Sequence, residues 1–436
     1  MKTWKFLAAA ILATLCLGLW SFRYLNADKR INKTTYRSIP QGCVFRTVMG
    51  EESSDSSFVY FSTPLVESSI KEGLAWLMRA QHPSGGWGAG THARQDVMDP
   101  HAVPADPATT SMVGMALLRS GNTPTRGKYA EPLRRALLYV VTQAEQSSPT
   151  SPTVTEIRGT QIQSKLGANI DVILSTQFLS NALNHLQHDE QMTIRVQRAL
   201  DKCVKKIQQS QNQDGSFAGS GWAGVLQSSF ATTALEEAKA QGANVDDQVL
   251  NRSRDFQKGN YNAQNGDVKT DLGAGVILYS VSGSTRASAK EARRVEEEMD
   301  KAKRQNRLPS QAAPTAENLE KIGFGKDEAL RHATAYEVYQ SAKLKSQQAD
   351  VMDGFGSNGG EEFLSYLQTG ESMIVGKDPS WTNWYDNISG RLLNIQNDDG
   401  SWSGHHCITS PVFCTATCVL ILSVNNDVER LMELGR

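Results

Sequence analysis

The side chains best suited to holding a metal or moving a proton lie close together near the C-terminus. They are His405, His406 and Cys407, with Cys414 a short way on. Imidazole nitrogen and thiolate sulfur are the ligands zinc takes at tetrahedral geometry. His405, His406, Cys407 and Cys414 are therefore candidate metal ligands. Ser410-Pro411 reads as the cap and first turn of a helix. That helix carries Cys414 and Cys418 on one face, and its N-terminus is expected to lower the pKa of the Cys414 thiol. The spacing matches no standard zinc motif. A Cys407–Cys414 disulfide and plain buried thiols beside loop histidines are competing readings. The cofactor stays open, with zinc the one metal these residue types suggest.

Carboxylates supply the second set. Glu361 and Glu362 follow a glycine-rich turn and open a helix. Acids there are either stabilised by the helix dipole or placed as a general acid and base. Asp99, with His101 and Asp106, precedes another helix start and is the third candidate catalytic residue. Asp171, after Gly167, is placed in the same way. These positions share one property: each comes just before an expected helix N-terminus.

The elements that must position them are helices. Leu74, Leu77 and Met78 fall on one face of a helix expected from Ser68. It stops at Gln81-His82-Pro83-Ser84-Gly85-Gly86-Trp87. The same stop, Gln-x-x-x-Gly-x-aromatic, returns at Gln211–Phe217 and at Gln396–Trp402. Glycine permits the positive φ at which a chain leaves a helix. Three copies at identical offsets, each between two helices, form an internal repeat. Further helices are expected over 132–144, 171–188, 249–256, 271–281, 287–303, 327–343 and 360–375. Strand signals are nearly absent. Segment 284–316 is charge-rich and is expected to be an exposed helix followed by a loop.

About six helical hairpins imply an all-α chain closed into an α/α toroid, with inner helices around a central cavity and outer helices wrapping them. At the three stops the sequence resembles the prenyltransferase and squalene-cyclase repeat family. The segments Gly356–Glu362 and Gly404–Thr409 resemble an exported bacterial branch of that group. The resemblance covers about residues 68–425. It implies the toroid and, for function, a terpenoid-cyclase-like or prenyltransferase-like enzyme acting on a hydrophobic or bulky small molecule. Several chemical elements of the family are missing. No Asp-x-Asp-Asp proton donor is present. Asp246-Asp247 and Asp398-Asp399 lack the third acid of a magnesium-binding motif. The Asp-x-Cys element of protein prenyltransferases is missing, and so is the Gly-Cys-Gly-Glu-Gln of thioester domains. Aromatic residues make up only 7% of the chain, few for walls that stabilise carbocations. A non-catalytic binding or scaffold toroid is the alternative.

The net charge of -1 gives no argument for nucleic acid. Lys2 and Lys5 precede an apolar run from Phe6 to Trp20, the pattern of an export signal or uncleaved anchor over residues 1–23. A polar tether over 24–66 and the toroid over 67–436 complete the expected organisation. The chain is expected outside the cytoplasm, or tethered to the membrane through its N-terminus.

Overall fold

A computed structural model describes residues 62–356 and 358–435. The expected signal segment, Cys16, Cys43 and most of the tether lie outside the described residues. Sixteen helices and no strand occur among them. Helix α1 (Pro64–Arg79) starts earlier than the tether boundary allows, because Thr63 caps it and Pro64 occupies the first turn.

Two classes of helix build the fold. The first is amphipathic: α1, α3 (Ala130–Gln146), α6 (Glu190–Gln209), α8 (Asp247–Lys258), α11 (Lys326–Ser346) and α14 (Trp381–Leu393). In α6 the buried residues Val196, Ala199, Leu200, Cys203, Val204 and Ile207 form a single stripe, so one face meets water. The second class is buried nearly all round. It comprises α2 (Pro107–Arg119), α5 (Ile170–Leu183), α7 (Gly224–Ala240), α9 (Ile277–Arg304), α13 (Gly360–Val375) and α15 (Pro411–Leu422). In α9 this holds over the first half only. Every residue of α13 and α15 is buried.

The buried helices form a closed ring. Helix α2 packs on α5, α5 on α7, α7 on α9, α9 on α13, α13 on α15, and α15 returns to α2. The amphipathic helices pack outside them. This is an α/α toroid of six hairpins. Four shorter helices, α4 (Gln161–Leu166), α10 (Ala316–Lys321), α12 (Ala349–Met352) and α16 (Val428–Leu434), occupy the connections and the C-terminus.

The repeated stop joins three helices at a time. Gln81 Nε2 donates to Gly85 O at 2.8 Å and to Pro132 O, on the next outer helix, at 2.9 Å. Gln211 does the same to Gly215 and Val249, and Gln396 to Gly400 and Ser69. The backbone N–H of each aromatic residue donates to a hydroxyl on the following inner helix: Trp87 to Thr110, Phe217 to Ser228 and Trp402 to Thr415, all at 2.9 Å. The indoles of Trp87 and Trp402 donate back to Leu77 O and Leu392 O, near the end of the preceding outer helix. Gly400 has a φ of 90°, and a Cβ there would lie 2.9 Å from Glu72 Cβ on α1. Backbone conformation and close approach both demand glycine.

Two expectations are corrected. Segments 271–281 and 287–303 are not separate helices; residues 277–304 form one helix, α9. The hydroxyls of Ser284 and Thr285 bond back to Ser280 O and Val281 O within the helix. A Cβ on Gly283 would meet Gln257 Oε1 at 2.5 Å, so the small residue lets α9 pack closely on its neighbours. Nor is 284–316 simply exposed. Val295, Met299 and Ala302 join Leu308, Leu319, Ala329 and Ala333 in a second core beneath α11.

The far rim, where the inner helices end, is closed by charge pairs. Arg119 contacts Glu371 at 2.5 Å and Asp427 at 3.0 Å. Arg430 contacts Asp427 at 2.6 Å and Glu237 at 2.9 Å. Among the described residues no single helix is long and apolar enough to cross a membrane. The bent pair Pro411–Leu422 and Val424–Leu434 passes that test by length and composition only.

Trp402→Ala should cost about 3–5 kcal/mol in urea unfolding, because a fully buried ring is deleted from a three-helix junction. A loss below about 1 kcal/mol would show that the stop does not hold the ring together. Arg119→Ala leaves Glu371 as an uncompensated buried charge, while Asp427 keeps Arg430, and should cost about 3 kcal/mol in the same measurement.

Candidate active site at the mouth of the ring

The starts of the inner helices meet at one rim. Ala108 N, in the first turn of α2, donates to Asp171 Oδ1 at the start of α5. Tyr279, at the start of α9, donates its hydroxyl to Glu362 Oε1 at the start of α13, at 2.6 Å. Gly360 N donates to Ile408 O, and the amides of Thr409 and Ser410 donate to Gln161 Oε1. The loop carrying His405–Ile408 is thereby pinned between α4 and α13.

Glu361 and Glu362 both sit in the first turn of α13, where the helix dipole favours negative charge. Both are buried, at 2% and 0% exposure. Glu362 Oε1 accepts from Tyr279 and from Phe355 N at 2.9 Å. Its Oε2 has no partner, nor has Glu361 Oε2. Burial, and then the neighbouring Glu362 carboxylate, pushes the Glu361 pKa up to about 8. His406 Nε2 lies 3.9 Å from Glu362 Oε2, and neither ring nitrogen of His406 has a hydrogen-bond partner. Burial lowers the His406 pKa, against the pull of Glu362.

Glycines make this approach feasible. A Cβ on Gly359 would sit 2.6 Å from both Glu362 Oε2 and His406 Cε1. One on Gly356, at φ 151°, would sit 3.0 Å from His405 Nε2 and 3.1 Å from His406 Nε2. The Gly-Gly-Glu-Glu run is thus the template against which the histidine loop packs.

The structure divides the sequence candidates. Glu361, Glu362 and His406 come together, each offering one ligand atom within 4.8 Å of the others. His405 is exposed, its ring 4.5 Å from that of His406. Cys407 is half-buried beside Glu361 and Lys165 and adopts φ 56°, unusual for a non-glycine residue. Cys414 is fully buried, its Sγ directed to Ile408 O. The expectation of a lowered Cys414 pKa is corrected: burial, then Glu361, raises it, because desolvating a thiolate outweighs the helix dipole. Cys407 and Cys414 are both free thiols, so the disulfide alternative is not formed. Asp99 is exposed and caps the short 3-10 turn Pro100–Ala102 by accepting from His101 N.

Four residues that sequence reasoning missed complete the mouth. Tyr279 orients Glu362. Lys165 is 3% exposed, and its ammonium lies 4.0 Å from the centre of the Trp222 ring. Trp222 is 64% exposed and Phe355 63%, the latter edge-on to His406 at 5.4 Å. Only Trp222 and Phe355 left a trace in sequence. Each is a bulky aromatic set among glycines, in Gly219–Gly224 and Gly354–Gly356.

No family model matches the chain, and no curated protein does. Among solved structures it is similar to three titled as glycosidases. One, with a glutamate replaced by alanine, has a TM-score of 0.47 and 12% identity. A second glutamate-to-alanine variant in complex with glucose, and a tyrosine-to-phenylalanine variant, each have a TM-score of 0.48 and 11% identity. Each match spans 84% of this chain and 97% of the other. Likeness at this level carries no argument about chemistry.

Asp106 and Asp171, at the starts of α2 and α5, are a second pair of buried acids. Asp106 caps α2 through Thr109 N and also accepts from Ala89 N. Asp171 accepts from Gln163 Nε2 at 2.7 Å. Burial raises Asp106 to about 6; burial and the charge of Asp106 raise Asp171 to about 7. The folded chain therefore holds more protons than the unfolded chain in this range. The stability this contributes is complete below the ordinary carboxyl pKa of 3.8 and is lost progressively as pH rises to about 7. Asp171→Asn should flatten the fall in melting temperature between pH 5 and pH 8. At pH 8 it should gain on the order of 1 kcal/mol or more over wild type. An unchanged pH profile would refute the assignment.

Proposed function

We propose that this toroid is a hydrolytic enzyme in which Glu361, Glu362 and His406 together activate the attacking water at the mouth of the ring. The observation that carries the proposal is the convergence of these three side chains with four unpartnered, buried polar atoms. Buried polar groups are ordinarily paired, and leaving them unpaired is costly. Such groups therefore cluster where a substrate or reacting water completes them. Tyr279 is a positioning residue, fixing one oxygen of Glu362 and leaving the other for chemistry. The Lys165 ammonium is placed to stabilise negative charge that develops in the transition state.

The substrate we infer is polar and carries a ring face, as a saccharide does. Trp222, stacked on Lys165, and Phe355, whose amide bonds Glu362, offer exposed aromatic surfaces. The inner helices bury Ser111, Thr176, Gln177, Gln227, Ser229 and Gln368 among their apolar residues, and Gln177, Gln227 and Gln368 carry unpaired amide atoms. That interior suits a polar ligand better than the lipid-like substrate implied by the prenyltransferase and cyclase resemblance. The export pattern at Lys2, Lys5 and Phe6–Trp20 would place the reaction outside the cytoplasm.

The test is an assay of the purified chain against neutral and charged polysaccharides, with products separated chromatographically. Turnover is expected on at least one, with kcat reduced about 100-fold or more in Glu362→Gln while the helical circular dichroism is retained. No hydrolysis across the panel, or a fully active Glu362→Gln, would leave the scaffold reading as the better one.

A further inference from the structure

We propose that Glu361, Glu362 and His406 form a binding site for one divalent transition-metal cation of the zinc class. The inference deepens the hydrolase reading and rests on it only for what the cation would act upon. Four observations carry it. First, one ligand atom from each side chain lies within 4.8 Å of the other two. Zinc bonds nitrogen and oxygen at about 2.0–2.2 Å, so small side-chain rotations bring all three into range.

Second, the atoms that would bind have no other partner. Glu361 Oε2 and Glu362 Oε2 are unpaired, although their residues are 2% and 0% exposed. Both ring nitrogens of His406 are unpaired as well. Two adjacent carboxylates with free oxygens in a dry site repel each other, and a divalent ion reverses that repulsion.

Third, the surrounding contacts are those of a ligand set held in place from behind. Tyr279 and Phe355 N occupy the oxygen of Glu362 that would not face the cation. Such outer contacts orient metal ligands and tune affinity. Fourth, Gly359 leaves the space between Glu362 and His406 clear of a Cβ atom, and Gly356 leaves room for the His406 ring.

The ligand chemistry selects the ion. One imidazole and two carboxylates, with positions left for water, suit a borderline transition metal. Calcium takes six to eight oxygens and magnesium prefers an all-oxygen octahedron. Lys165 is the positive group facing the acids from α4, and its ammonium stacks on Trp222. Cys414 stays out of the set because its sulfur is committed to Ile408 O. The sulfur-rich ligand set expected from sequence is thereby replaced by one richer in oxygen.

The experiment is calorimetric titration of the chelator-treated full chain with zinc and, separately, manganese, followed by zinc-edge X-ray absorption. One zinc per chain is expected, with nitrogen and oxygen neighbours and no sulfur. Affinity should fall about 100-fold or more in Glu362→Gln and His406→Ala, and about 10-fold or more in Tyr279→Phe. It should be unchanged in His405→Ala. His406 lies in a half-buried loop, so its variant leaves the packing of the ring alone. Lack of zinc binding by the wild type, wild-type affinity in His406→Ala and Glu362→Gln, or sulfur in the zinc shell would each overturn the proposal. Hydrolysis that needs Glu362 in a chain binding no zinc would overturn the cation and keep the hydrolase. Zinc bound at these residues without turnover on any polysaccharide would do the reverse.

Discussion

A single side-chain amide ties this toroid together at three places. The Gln of each helix stop donates one hydrogen to a carbonyl of its own loop and the other to a carbonyl of the next outer helix. The aromatic that follows is tied by its backbone to a hydroxyl on the inner helix. One short sequence thus fixes the end of one helix, the approach of a second and the start of a third. The third copy links α14 to α1, the end of the folded chain to its beginning. A ring needs that closure, since otherwise the first and last inner helices would each present an apolar face to water.

The two rims use polar groups in opposite ways. At the far rim Arg119, Arg430, Glu237, Glu371 and Asp427 satisfy one another. Charges buried in that way are costly to disturb and have little left to offer a ligand. At the near rim Glu361, Glu362 and His406 hold unpartnered atoms. Cys407 accepts a left-handed backbone conformation beside them. Strain and unmet hydrogen bonding among the ionisable groups at one end, with paired charges at the other, is the distribution expected when stability is sacrificed locally for binding or chemistry. Direction follows from topology: outer and inner helices alternate, so all six inner N-termini reach the same rim.

The sequence by itself determined the architecture. The Gln-x-x-x-Gly-x-aromatic repeat is local, and its geometry can be read from residue types: an amide with two hydrogens, a glycine for positive φ, a ring to bury. Helical periodicity did the rest, except that 271–281 and 287–303 were expected as two helices, with the Ser-Gly-Ser run at 282–284 between them. Those small residues allow close packing between helices, a reason visible only once the neighbours are present. Of the site, Glu361, Glu362 and the histidine pair were legible as candidates because they precede helix starts. Tertiary structure alone decided which of them meet. His406 faces the acids while Cys414 turns to a carbonyl, and Tyr279 and Lys165 arrive from helices distant in sequence. The pKa values went the same way: the sequence could place a thiol at a helix N-terminus, but only the fold could bury it deeply enough for desolvation to outweigh the dipole.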